Sequence, residues 1–155
     1  MRTVLAVAIA FFTSTSFATD LASCANLKGY GYYHYGALVE KKMAGWLQEG
    51  IPNGITTLKK IGKDKYDLLV VDARNTVMSF MQDGGEVLLL RKGNRDATFM
   101  HVSAAGVIEL YTFWQSTDGQ FFLDLMQSKG GNAMVIHKSS LMIASCDKFR
   151  LDLID

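Results

Sequence analysis

Val107-Ile108-Glu109-Leu110-Tyr111-Thr112-Phe113-Trp114-Gln115 and Phe121-Phe122-Leu123-Asp124-Leu125-Met126 flank Ser116-Thr117-Asp118-Gly119-Gln120 and decide the fold. Both arms are rich in β-branched and aromatic residues, and Asp-Gly between two such runs is a hairpin signal. A two-residue Asp118-Gly119 loop pairs Thr117 with Gln120. One face of the hairpin then carries Ile108, Leu110, Thr112, Trp114, Phe121, Leu123 and Leu125, and it reads as core. The other carries Glu109, Tyr111, Phe113, Gln115, Phe122, Asp124 and Met126, aromatic but with two acids. Two accounts of that second face stand. Either it lines a cavity, with Tyr111, Phe113 and Phe122 as walls and Glu109 or Asp124 orienting a ligand, or the N-terminal segment covers it and the acids sit at wet margins.

Outward from this hairpin the same rhythm continues. Apolar runs at 66–73, 76–82, 86–92, 97–104, 107–115, 120–129, 133–138 and 141–146 alternate with turn signals such as Asp83-Gly84-Gly85 and Gly130-Gly131. Upstream, 30–35 and 55–61 read as further strands. Leu38, Met43, Trp46 and Leu47 share one face of a short helix expected near residues 37–49. Phe149, Leu151 and Leu153 alternate in the tail, as in an added edge strand. The expected fold is mainly all-β: an antiparallel meander of about eight to ten strands, forming a curled sheet or small up-and-down barrel.

The chain has 155 residues, 49% of them hydrophobic and 20% charged, which excludes a disordered chain and suits one domain. Its start has the form of an export signal: Arg2, an apolar run over 4–12, then small residues up to Ala18. Residues 1–18 are therefore expected to be removed, leaving one β domain over 19–155, periplasmic or secreted. The apolar run is too short to span a bilayer, and no transmembrane segment is expected. Cys24 and Cys146 are the only cysteines. In an oxidising compartment an even count reads as a disulfide. Leu21-Ala22-Ser23-Cys24 also has the form of a lipoprotein box, so a lipid anchor on Cys24 is the alternative.

The motifs of common chemistries are missing. His34, His101 and His137 are scattered, so no metal site is expected. There is no G-x-S-x-G, no phosphate loop and no dinucleotide fingerprint, and no cofactor is expected. The 16 basic residues against 15 acids leave no broad footprint for nucleic acid. In the assumed register Glu109 and Asp124 lie about 14 Å apart along the strands. A glycosidase pair is about 5–9.5 Å apart. Lys59, Lys60, Lys63 and Lys65 read as a solvated hairpin tip, and the methionines as core filler.

The densest unusual stretch is Gly29-Tyr30-Gly31-Tyr32-Tyr33-His34-Tyr35-Gly36. Tyrosine offers rigid area with a polar tip, so Tyr30, Tyr32, Tyr33, His34 and Tyr35 form a candidate interaction surface. The alternative is a strand with tyrosines on both faces.

Cys24 with Gly-Tyr following, Gly45-Trp46, Gly54 with Thr57-Leu58, Tyr66-Asp67-Leu68-Leu69, Asp72-Ala73, the run from Glu109 to Phe113, and Cys146 together resemble a group of small exported bacterial β-proteins of uncharacterised function. The resemblance implies an exported β-domain with paired terminal cysteines and carries no activity. Gly45-Trp46 is also similar to the lipocalin G-x-W motif with its middle residue absent. The expected function is a non-enzymatic binding module for a small apolar or amphipathic ligand. The alternatives are an envelope protein-interaction domain and, third, a hydrolase using His101 or Asp124.

Overall fold

The computed structural model describes residues 18–155 apart from Ala73 and Ala133. The expected export signal, Ala18 excepted, lies outside the described residues. Ten strands follow in order: β1 (Thr19–Tyr33), β2 (Gly45–Gly50), β3 (Ile55–Gly62), β4 (Lys65–Val71), β5 (Val77–Ser79), β6 (Glu86–Lys92), β7 (Asp96–Val102), β8 (Val107–Gln115), β9 (Phe121–Lys129) and β10 (Lys138–Phe149). They form one antiparallel sheet, ordered β5-β4-β3-β1-β10-β9-β8-β7-β6, with β2 pairing β1 beside that path. The sheet curls into a half-barrel whose strands meander between neighbours. Its seam lies between β5 and β6, where β4 approaches β6 without a ladder.

β1 organises the curl. One edge of it pairs with β10 along almost its whole length, while the other pairs first with β3 and then with β2. The change of partner occurs at a bulge between Ala25 and Lys28. Asn26 there adopts φ 59°, a conformation asparagine tolerates better than most residues. Its backbone N–H donates to Gly54 O at 3.0 Å, and its side-chain oxygen accepts from Asn53 N at 3.1 Å. Such bulges increase local twist, which helps a sheet to curl.

No helix forms over 37–49. Lys41–Met43 makes one 3-10 turn, and Trp46 and Leu47 lie on β2. The glycine before Trp46 has φ 123°, outside the helical region. The tail adds no edge strand: β10 runs to Phe149 and Leu151–Leu153 is a 3-10 turn. The strand expected at 133–138 does not form over 134–137, and β10 begins at Lys138 and takes in the run expected at 141–146.

The key hairpin is shifted from its expected register by one residue. Gln115 pairs with Phe121 and Phe113 with Leu123, around a Thr117-Asp118-Gly119 loop. Gly119 has φ 89°, and its N–H donates to Ser116 O at 3.1 Å. This is the three-residue hairpin solution, with glycine in the left-handed position. The extra loop residue turns β8 over relative to β9. Tyr111 and Phe113 face inward with Leu123 and Leu125, all nearly inaccessible, whereas Ile108 is exposed.

Inward residues form rows across the strands. Met142, Leu125, Tyr111 and Phe99 make one row; Ala144, Leu123, Phe113 and Ala97 make the next. The far wall supplies Leu58, Tyr66 and Leu68, with Tyr66 meeting Phe99 edge-to-face at 5.0 Å. Burying each large apolar side chain contributes about 1.5–3 kcal/mol. Cys24 and Cys146 face each other across the β1–β10 ladder and form a disulfide.

Candidate functional site

The two ends of the half-barrel differ. At one end the tail folds back over the core, burying Phe149 and Ile154. Arg150 N donates to Leu21 O at 2.7 Å, Asp64 N to Asp155 Oδ2 at 2.7 Å, and Lys60 Nζ to Leu153 O at 3.0 Å. Of the four lysines expected at a solvated tip, Lys63 and Lys65 are exposed, whereas Lys59 pairs with Asp20 at 3.2 Å and Lys60 is half-buried against the tail.

At the other end, beside the turn after β7 and the end of β9, a cavity of about 450 Å³ enters the curl. Leu27, Val70, Phe80, Leu125 and Met142 supply apolar wall. The row above the core supplies polarity: Ser140, Gln127, Glu109 and His101 pair successively across β10, β9, β8 and β7.

Glu109 is the centre of this belt. His101 Nδ1 and Tyr111 OH each lie 2.9 Å from Glu109 Oε2, and Gln127 Nε2 donates to Oε1. Burial pushes the Glu109 carboxyl upward, but the donors His101, Gln127 and Tyr111 outweigh it and hold the carboxyl below its usual value. An ionised carboxylate only accepts, so His101 carries its proton on Nδ1. Burial, and then the Glu109 charge, push the Tyr111 hydroxyl well upward. Phe80 stacks on the His101 ring at 3.9 Å. Gly85 packs so closely that a Cβ there would sit 2.4 Å from His101 Nε2. Among the described residues no hydroxyl or thiol is hydrogen-bonded to His101 Nε2, so the pair lacks the nucleophile of a catalytic triad.

The belt runs on into a second acid. Ser140 Oγ donates to Glu49 Oε2 at 2.7 Å, and Lys138 Nζ and Tyr33 OH donate to Glu49 Oε1. Hydrogen bonding to Glu49 pushes the Tyr33 hydroxyl up to about 12. Burial raises the Glu49 carboxyl, yet Lys138, Ser140 and Tyr33 bring it below its ordinary value. Gly31 faces this carboxylate, and a Cβ there would meet it at 2.7 Å. A smaller cavity of about 170 Å³ lies beside Glu49, sharing Ile51, Gln127, Lys129 and Met142 with the larger one. Gln127 Oε1 is buried without a hydrogen-bond partner.

The expected ligand set is divided by the sheet. Glu109 and Tyr111 line the cavity. Phe113 is sealed in the core one row deeper, at 0% exposure. Phe122 and Asp124 lie on the outer face: Phe122 stacks on Trp114 at 4.8 Å, and Asp124 stands opposite Thr112. Asp124 therefore cannot serve with Glu109 or His101 in one site.

The tyrosine stretch is likewise divided. Tyr30 and Tyr32 point outward, Tyr33 turns inward to Glu49, and His34 and Tyr35 are exposed beyond the strand. Tyr32 meets both His34 and Trp46 edge-to-face, at 5.0 and 5.4 Å. Among the described residues no group of three or more His, Cys, Asp or Glu is placed to hold a metal ion. No helix among them is long and apolar enough to cross a membrane.

Glu49, Phe80, Gln127, Lys129 and Ser140 had no place in the sequence-derived site. Glu49 fell within the expected helix. Gln127 and Ser140 become visible as one row only when the register of three strands is known.

The chain matches no family model, no curated protein and no solved structure.

Proposed function

We propose that this is an exported, non-enzymatic binding module that holds a small apolar or amphipathic ligand inside the half-barrel. The observation that carries the reading is the cavity of about 450 Å³, apolar on one wall and polar on the other. That volume and mixture are usual for small-molecule sites. His101 is tied to Glu109 and packed against Gly85, an arrangement suited to shaping a wall rather than to turnover. The Cys24–Cys146 bond is compatible with an oxidising compartment. Val70 is a half-buried wall residue, so Val70→Phe fills the cavity without opening the core. Nile red, a neutral environment-sensitive dye, is expected to bind the wild type at least tenfold tighter than this variant. Equal affinity in a folded variant would contradict the reading.

One surface observation favours envelope protein interaction as the second reading. On the outer face Tyr30, Leu141, Met126, Leu110, Met100 and Leu88 pair successively across the sheet as an apolar row. Exposure of 58% at Tyr30, 55% at Met126 and 54% at Leu141 leaves much of that row uncovered. Tyr30→Ser with Met126→Ser is expected to abolish crosslinking to an envelope partner if this reading holds. Unchanged crosslinking would remove it.

A further inference from the structure

We infer that the ligand of this cavity is an amphipathic monocarboxylate whose acyl chain lies along the apolar wall and whose carboxylate is taken by Lys129. The inference rests on the ligand-binding reading and names the chemistry of the head group.

The charges around the opening carry it. Lys129 lines both the large cavity and the smaller one beside it. Across the β9–β10 ladder it stands directly opposite Lys138. Two like charges in that relationship repel unless something answers them. Glu49 answers Lys138. Among the described residues no carboxylate lies within 4.0 Å of the Lys129 ammonium. The wall is therefore one positive charge in excess at this point, next to an apolar cavity.

Glu109 and Asp83, one negative charge each, also line the cavity, so the positive excess is local to Lys129 and is not a net charge of the whole wall. Glu109 keeps its charge, but both its oxygens are already hydrogen-bonded, by His101, Tyr111 and Gln127. Asp83 is exposed to water, where its charge is screened. Lysine holds such a head as a point charge, without the two-pronged geometry that arginine imposes. A single carboxylate at the end of a flexible chain needs no more.

The test compares dodecanoate, dodecanol and dodecylammonium, each displacing Nile red from the intact disulfide-bonded protein at low ionic strength. Dodecanoate is expected to bind about tenfold tighter than dodecanol, as one charge-assisted contact gives. Lys129→Gln is expected to bring the acid within about twofold of the alcohol. Lys63→Gln, at the distant hairpin tip, is expected to leave the preference intact. Equal binding of acid and alcohol by the wild type, tighter binding of the amine, or a preference that survives Lys129→Gln would overturn the head-group assignment and leave the cavity reading standing. Binding of none of the three would sink both.

Discussion

His101 Nδ1 and Glu109 Oε2 lie 2.9 Å apart, directly opposite each other on the β7–β8 ladder and on the inner face of the sheet. Both side chains are nearly inaccessible, at 5% and 6% exposure. Tyr111 and Gln127 depend on the same carboxylate. Removing it leaves these donors buried without an acceptor. Glu109→Ala is therefore expected to cost about 3–5 kcal/mol in urea unfolding, because each buried donor left without an acceptor costs about 1–3 kcal/mol. Glu109→Gln, which keeps an acceptor oxygen, is expected to cost less. A near-neutral Glu109→Ala would mean that the belt is hydrated and loose.

The same belt sets the response to acid. Glu109 and Glu49 are both held below the usual glutamate value near 4.5. Between their folded values and that unfolded value, the unfolded chain binds more protons. Their contribution is therefore complete above about pH 4.5 and is lost as pH falls through the folded values. The urea midpoint should fall across this acid window. Glu109→Gln should make the fall shallower, and an unchanged slope would show that Glu109 is not part of the linkage.

The hairpin register predicts an asymmetry between two phenylalanines. Phe113 is sealed in the core between Ala97 and Leu123. Phe113→Ala is expected to cost about 3–5 kcal/mol. Phe122 lies on the outer face against Trp114, so Phe122→Ala should cost about 0.5–1.5 kcal/mol. Equal costs in thermal or urea unfolding would contradict the three-residue loop. A double Phe113/Phe122 alanine variant consequently tests folding before it tests any ligand.

The legibility of this fold follows from the same hairpin. Alternating apolar residues and repeated Gly-containing turns were enough to identify a curled antiparallel sheet, because a period of two is local information. Loop length was harder to read. Asp118-Gly119 suits a two-residue turn, but Ser116 also bonds across the loop, its N–H donating to Gln120 O at 2.9 Å. That single residue decides which side of β8 is buried, and so which of the expected ligand residues share a cavity. β2 was missed because Gly45 to Gly50 has little strand character of its own; its pairing with β1 makes it a strand. Glycines 29 and 31, lacking a Cβ, permit close approach. The groups that approach them, Leu141 O and the Glu49 carboxylate, come from distant segments.

The disulfide should be a large part of the stability. Cys24 and Cys146 are 122 residues apart in sequence, so the bond removes much freedom from the unfolded chain. Cys24→Ser with Cys146→Ser is expected to cost about 4–5 kcal/mol. Comparing urea unfolding of the double variant with the oxidised wild type checks this. A difference below about 1 kcal/mol would place the stabilisation elsewhere.

Native, non-reducing mass spectrometry on protein purified from its own cellular envelope tests the ligand-binding account most directly. The expected result is a chain beginning at Thr19, two hydrogens lighter than its reduced form, carrying an adduct of small-molecule mass. That adduct should leave on denaturation and be absent from Val70→Phe. A bare chain in the folded wild type, unable to take up added dodecanoate or dodecanol, would contradict the account and turn attention to the outer apolar row.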